Sequence, residues 1–224
     1  MTEIAQPAEP ALALMWAMVL DGRGGARSLT AAELADRLDA VLVASRISRL
    51  VYDCNRPPEA PDAIPARSEV VEVPGNAHLS AAEKARRVDR FYRPFRAALA
   101  QAIAQRSAPV LITVHSFTPI YNGKTRAVEI GVLHDSDTRL ADALLADTSG
   151  LGPLDIRRNA PYGPEHGVTH TLKEHALPGG HLNVMLEVRS DLITDSASQD
   201  RMADLLAGWL TRALSGLEAT TCKP

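Results

Sequence analysis

Cysteine is nearly missing from this chain: its 224 residues hold two, Cys54 and Cys222. Two cysteines at this length make no disulfide framework, and a reducing compartment is the expectation. Long apolar runs are missing too. The longest early one, Ala11 to Leu20, falls far short of the roughly 20 residues that a membrane-spanning helix needs. The residues before it include Glu3 and Glu9 and no basic side chain, which is not the pattern of a signal peptide. Nor is there an excess of positive charge. A net charge of −3 provides no field for a polyanion and argues against nucleic acid as a partner. There is no internal repeat and no low-complexity tract. By elimination the expected protein is soluble and cytoplasmic, with no membrane and no nucleic-acid partner.

What remains is ordinary for a folded domain. Apolar residues make up 46% and charged residues 23%, and a chain of this length can bury one sizeable core. Residues 1–29 set Pro7, Pro10, Gly22, Gly24 and Gly25 around one short apolar run and read as an irregular N-terminal segment. Residues 30–224 read as a single α/β domain. Thr30 with Glu33, and Ser80 with Glu83, have the spacing of capping boxes that open helices. Behind the second box, Val88, Phe91, Phe95, Leu99 and Ile103 recur at three- and four-residue steps, with a kink expected at Pro94. Val41 to Tyr52 is dense in β-branched residues and reads as a strand broken near Ser45. The stretch NRPPEAPDAIPARSEVVEVPGN then holds five of the fifteen prolines and reads as a long surface loop. LITVHS, AVEIGVLH and HLNVMLEVR read as further strands, with a tight turn at Asn122 and Gly123. RLADALLAD and SQDRMADLLAGWLTRALSGL read as helices. This alternation predicts an α/β fold, a mixed and mostly parallel sheet flanked by helices on both faces.

In such open sheets, ligands bind outside the carboxyl ends of strands. Asn55 with Arg56, His115 with Ser116, and Glu187 with Arg189 stand at or near such ends. Each has two readings. His115 ends an apolar run and is either a hydrogen-bonded core residue or a metal ligand. Asn55 and Arg56 either bind a ligand or form a turn with an ion pair to Asp53. Glu187 interrupts VMLEV, where a carboxylate costs several kcal/mol unless paired or used. It is either a general base of raised pKa or a partner of Arg189 on a solvated face. His166 and His170 are four apart but separated by Gly167, so a polar loop is the better reading than a ligand pair.

The runs SRLVYDCNRPP, PGN, VHSFTP, GVLHDSD, NAPY and LEVRSDLI, in this order between Ala40 and Trp209, resemble the N-formylglutamate amidohydrolase family. The resemblance implies a zinc-carboxypeptidase-like (phosphorylase/hydrolase-like) fold. It also implies zinc-assisted hydrolysis of N-formyl-L-glutamate, or a similar small acidic N-acyl amino acid, to formate and glutamate, as in histidine degradation. Carried over, His115 resembles a zinc ligand and Glu187 the glutamate that activates water. Asn55 and Arg56 resemble the pair that holds a substrate carboxylate, with Arg126 and Arg189 as further carboxylate binders.

One departure from the family pattern stands out. The family opens with a Glu-His-Ala-Ser-like motif and a Trp-Asp-Ile-Gly-like segment, whereas the first histidine here is His78. A catalytic zinc takes three protein ligands. Asp21, His166 and His170 are the substitutes on offer, and a truncated or rearranged start is the expectation. Two functions of different class follow: an active zinc amidohydrolase, or a family member that has lost catalysis and binds carboxylates.

Overall fold

The computed structural model describes residues 13–17 and 29–221. Its centre is a six-stranded sheet. The strands in chain order are β1 (Ala13–Ala17), β2 (Val41–Leu42), two short strands β3 (Arg67–Ser68) and β4 (Val71–Glu72), and the long β5 (Val110–Phe117). Then come β6 (Ile120–Tyr121), β7 (Lys124–Thr125), β8 (Ile130–Leu133), β9 (Ile156–Arg158) and β10 (Asn183–Arg189). The sheet order is β2-β1-β5-β10-β8-β9, while β3 with β4 and β6 with β7 form separate hairpins. The first four strands of the sheet are parallel, and β8 runs antiparallel to β10 with β9 parallel to β8.

Side-chain alternation gives this sheet two faces with different work. Ile112, Val114, Val184, Leu186, Val188, Ile130 and Val132 point to one face. There they pack against α1 (Leu29–Arg37), α4 (Arg139–Ala146) and α6 (Ser196–Thr221). Trp209 is wholly buried at this layer, and its indole N–H donates to the carbonyls of Leu144 and Asp147, tying α6 to the end of α4. The alternate residues Leu111, Met185 and Leu133 pack on the other face, against α3 (Arg93–Ala104) and α5 (His170–His175). Helices therefore cover both faces, as the alternating pattern predicts.

Three local outcomes differ from the sequence reading or refine it. The segment expected to be irregular supplies β1, which lies between β2 and β5; a short continuous apolar run is how a strand inside a parallel sheet reads. The strand expected over Val41 to Tyr52 ends at Leu42. Beyond it the chain turns, with Val51 N and Tyr52 N both donating to Ser48 O, so its backbone groups pair locally and not with a neighbouring strand. At Pro94 the expected kink takes the form of a π turn, Val88–Tyr92, between α2 (Ala81–Arg87) and α3, where Arg93 N bonds Val88 O five residues back. The capping box at Ser80 and Glu83 is complete in both directions. Asn122 and Gly123 take left-handed φ values of +48° and +75° at the tip of the β6–β7 hairpin.

Candidate active site at the ends of β5 and β10

The face that carries Leu111, Met185 and Leu133 turns polar toward the carboxyl ends of β5 and β10. In register, Met185 pairs with Thr113, and one step on Glu187 pairs with His115. On its other side Glu187 pairs with Gly131 of β8. Both His115 and Glu187 are 4% exposed, so neither faces water.

Burial sets the charge of both. Desolvation, reinforced by the guanidinium groups of Arg56 and Arg49, drives the His115 imidazole down to about 3, so it is neutral. Desolvation raises Glu187 to about 8, against the opposing pull of Arg126, Arg49 and Arg56. Its Oε2 is buried with no hydrogen-bond partner among the described residues. This excludes the bland reading of Glu187 as a solvated partner of Arg189. Arg189 instead pairs with Asp191 and Glu129 and donates to the carbonyls of Arg126 and Ala127, closing the end of β10 onto the start of β8.

The cations come from two loops. Arg49 and Arg56 lie on the loop after β2, together with buried Asp53, whose carboxyl desolvation raises. Arg56 is ion-paired to Asp62, not to Asp53, and its Nη1 donates to the carbonyls of Asn55 and Gly167. The Asn55 side chain is also committed within the protein, donating to Val168 O and accepting from Thr171 N and Oγ1. It pins the loop to the head of α5. Arg126 follows the β6–β7 hairpin, and its guanidinium sits 4.3 Å from the ring centroid of Tyr121, 4.9 Å from Tyr162 and 5.5 Å from Phe117. Asn76 of PGN anchors the long loop by donating to Leu50 O and Pro65 O.

The NAPY run completes the wall beside Glu187. Asn159 turns the chain with a left-handed φ of +45°, and its side chain accepts from His134 N. This brings the Ala160 carbonyl against Gly131, where a Cβ would overlap that oxygen. Gly131→Ala is therefore expected to push NAPY away from Glu187. A destabilisation of about 1–3 kcal/mol in urea titrations is the expected size of the overpacking.

The structure thus sets His115 beside Glu187 in register, with Arg126 and Arg56 near enough to act on the Glu187 carboxyl, Asn55 next to Arg56 in the same loop, and Arg189 committed elsewhere. Arg49 and Tyr162, which sequence reasoning did not single out, act with them, as does Asp53, which it named only as an ion-pair partner for Arg56. Their signal was membership of SRLVYDCNRPP and NAPY, the runs that supply the other site residues. His166 and His170 do not join this group. His166 accepts from Gly163 N, and His170 bonds the Tyr92 hydroxyl at 2.8 Å in a cleft between α3 and α5.

For zinc the fit is poor among the described residues. No three His, Cys, Asp or Glu side chains there come together as a metal would require. Asp21, the candidate substitute ligand, lies outside the described residues.

Comparison with known proteins agrees with the motif order. A crystal structure of a gene product from Agrobacterium tumefaciens is similar at 42% identity and a TM-score of 0.88, covering 97% of this chain and 96% of that one. An N-formylglutamate amidohydrolase from Ralstonia eutropha shares the fold at 18% identity and a TM-score of 0.63, covering 96% of this chain and 98% of that one. Among curated proteins none matches. The family model for N-formylglutamate amidohydrolase matches residues 24–194, most of the length, and the chain belongs to that family.

Proposed function

We propose that this chain hydrolyses the acyl amide of a small acidic N-acyl amino acid, with N-formyl-L-glutamate as the type substrate and formate and glutamate as products. The observation that carries the reading is Glu187: a fully buried carboxyl with an unpartnered oxygen, in register beside a neutral histidine and acted on by three guanidinium groups. A carboxyl with a pKa near 8 is a stronger base than a solvated one, which suits removal of a proton from attacking water and its delivery to the leaving amine. Arg126, with Arg56 and Arg49 beside it, supplies the charge that a dicarboxylate requires, and guanidinium is the side chain best shaped for that task.

Zinc is a separate proposal, and no step above depends on it. Bound through His115, it would take its other ligands from outside the described residues. Elemental analysis tests this: near-stoichiometric zinc in the wild-type protein and none in His115→Ala is the expected pair of results, and metal-free wild-type protein with a native circular dichroism spectrum overturns it.

The poor metal fit favours one alternative, a carboxylate-binding protein without catalysis. Formate release from N-formyl-L-glutamate by the purified chain separates the two. Turnover supports the hydrolase; tight binding of the same compound with no formate supports the alternative.

A further inference from the structure

Arg126 differs from Arg56 and Arg189, and from Arg49, which has no ion pair among the described residues but donates to the Ser68 hydroxyl at 2.9 Å. Arg56 and Arg189 each have a carboxylate partner within the protein. Arg126 makes no ion pair among the described residues, and it is the first of the cations that act on Glu187. What surrounds it instead is aromatic. Tyr121 and Tyr162 lie closest, from two separate segments of the chain, with Phe117 farther off. A ring face attracts a guanidinium without using its N–H donors, and although Arg126 Nη1 donates to the Thr118 carbonyl at 3.4 Å and the guanidinium also bonds the Tyr162 hydroxyl, the rest of its five N–H donors stay available while its plane is fixed. An ion pair would hold Arg126 equally well but would occupy the fork and neutralise it.

The two rings reach Arg126 by different routes. Tyr121 stands on the β6–β7 hairpin, outside the main sheet, and is 41% exposed. That hairpin is tied to its neighbour by Asn122 N donating to Glu69 Oε1 at 2.7 Å. Tyr162 stands on the NAPY run that Gly131 admits beside Glu187.

We infer that Tyr121 and Tyr162 are positioning residues that hold the Arg126 fork open for the side-chain carboxylate of the substrate, and so set the preference for acidic over neutral N-acyl amino acids. The inference rests on the amidohydrolase reading, and its test keeps the two apart. Tyr121→Leu and Tyr162→Leu remove the ring faces, while Tyr121→Phe and Tyr162→Phe keep them. Each is assayed with N-formyl-L-glutamate and with N-formyl-L-glutamine, which has nearly the same size and no side-chain charge. Each is also titrated calorimetrically with glutarate, a dicarboxylate with no amide to cleave.

The leucine variants are expected to raise KM for N-formyl-L-glutamate and Kd for glutarate roughly five- to thirtyfold, the range of a partly desolvated cation–π contact. For Tyr121→Leu both kcat and the parameters for N-formyl-L-glutamine should stay within about twofold, and Tyr121→Phe should restore the wild-type KM; Tyr162→Phe keeps the ring but loses the hydrogen bond from Arg126, and its KM should fall between those of the wild type and Tyr162→Leu. Equal losses on the two substrates, or an unchanged Kd for glutarate, overturn the inference. So does a wild-type protein that binds no glutarate. Ring-dependent glutarate binding without turnover of either substrate would keep the carboxylate clamp and overturn the amidohydrolase reading instead.

Discussion

Glu187→Gln is expected to abolish formate release and at the same time to make the protein more stable. Loss of a general base costs about 10²- to 10⁴-fold in rate. The stability gain follows from the sign of the pKa shift. Glu187 is raised in the folded protein from 4.5 to about 8, so between these values the folded state holds a proton that the unfolded chain has released. Stability therefore falls as pH rises through that window, by on the order of 3 kcal/mol at neutral pH. Glutamine keeps the shape and carries no charge to desolvate. Allowing for its own buried amide, a rise in Tm of roughly 3–8 °C at pH 8 is expected, shrinking toward pH 4.5. The wild-type kcat/KM should climb with pH, reach half its plateau near pH 8 and level off above it, as ionised Glu187 becomes more abundant. Undiminished turnover in the variant, or a Tm at pH 8 below that of the wild type, would remove Glu187 from this role.

Arg126→Ala and Arg56→Ala should separate, although both side chains act on Glu187. Arg126 has no carboxylate partner among the described residues, so its loss is expected to fall on ligand affinity. Truncating one member of a buried charge pair costs several kcal/mol, which places the KM increase for N-formyl-L-glutamate at roughly 100-fold or more. Arg56 is bound to Asp62 and to the carbonyls of Asn55 and Gly167. Its removal should loosen the loop from α5 and lower Tm by a few degrees, with a smaller rise in KM. Kinetics on acidic and neutral substrates, with melting curves of both variants, decide the matter; a larger KM effect for Arg56→Ala would reverse the assignment.

Much of this site was legible in the sequence, and the parts that were not share a physical cause. Apolar alternation marks β5 and β10, and a glutamate in VMLEV announces itself because burial of charge is costly. Their neighbouring positions in register also follow once the strands are adjacent. The loop after β2 misleads, since β-branched residues between Val41 and Tyr52 suggest a strand while its partners lie far along the chain: Asn55 bonds Val168 and Thr171. Such contacts have no local signature. The same holds for Arg126, whose aromatic box takes Tyr162 from a distant loop. Gly131 looks like an ordinary strand glycine until the Ala160 carbonyl is placed against it.

The sharing of guanidinium groups has a consequence for proton bookkeeping during binding. Arg126, Arg49 and Arg56 are the groups that restrain the rise in the Glu187 pKa. An anionic ligand that engages them weakens that restraint, so its arrival makes Glu187 hold its proton more firmly. By linkage, binding near pH 8 takes up a fraction of a proton, and affinity weakens as the solution becomes more alkaline. Titrations with glutarate in buffers of different ionisation enthalpy should give apparent heats that vary with the buffer, and Glu187→Gln should abolish the variation. The base in the liganded site is then stronger and less often ionised than in the empty one.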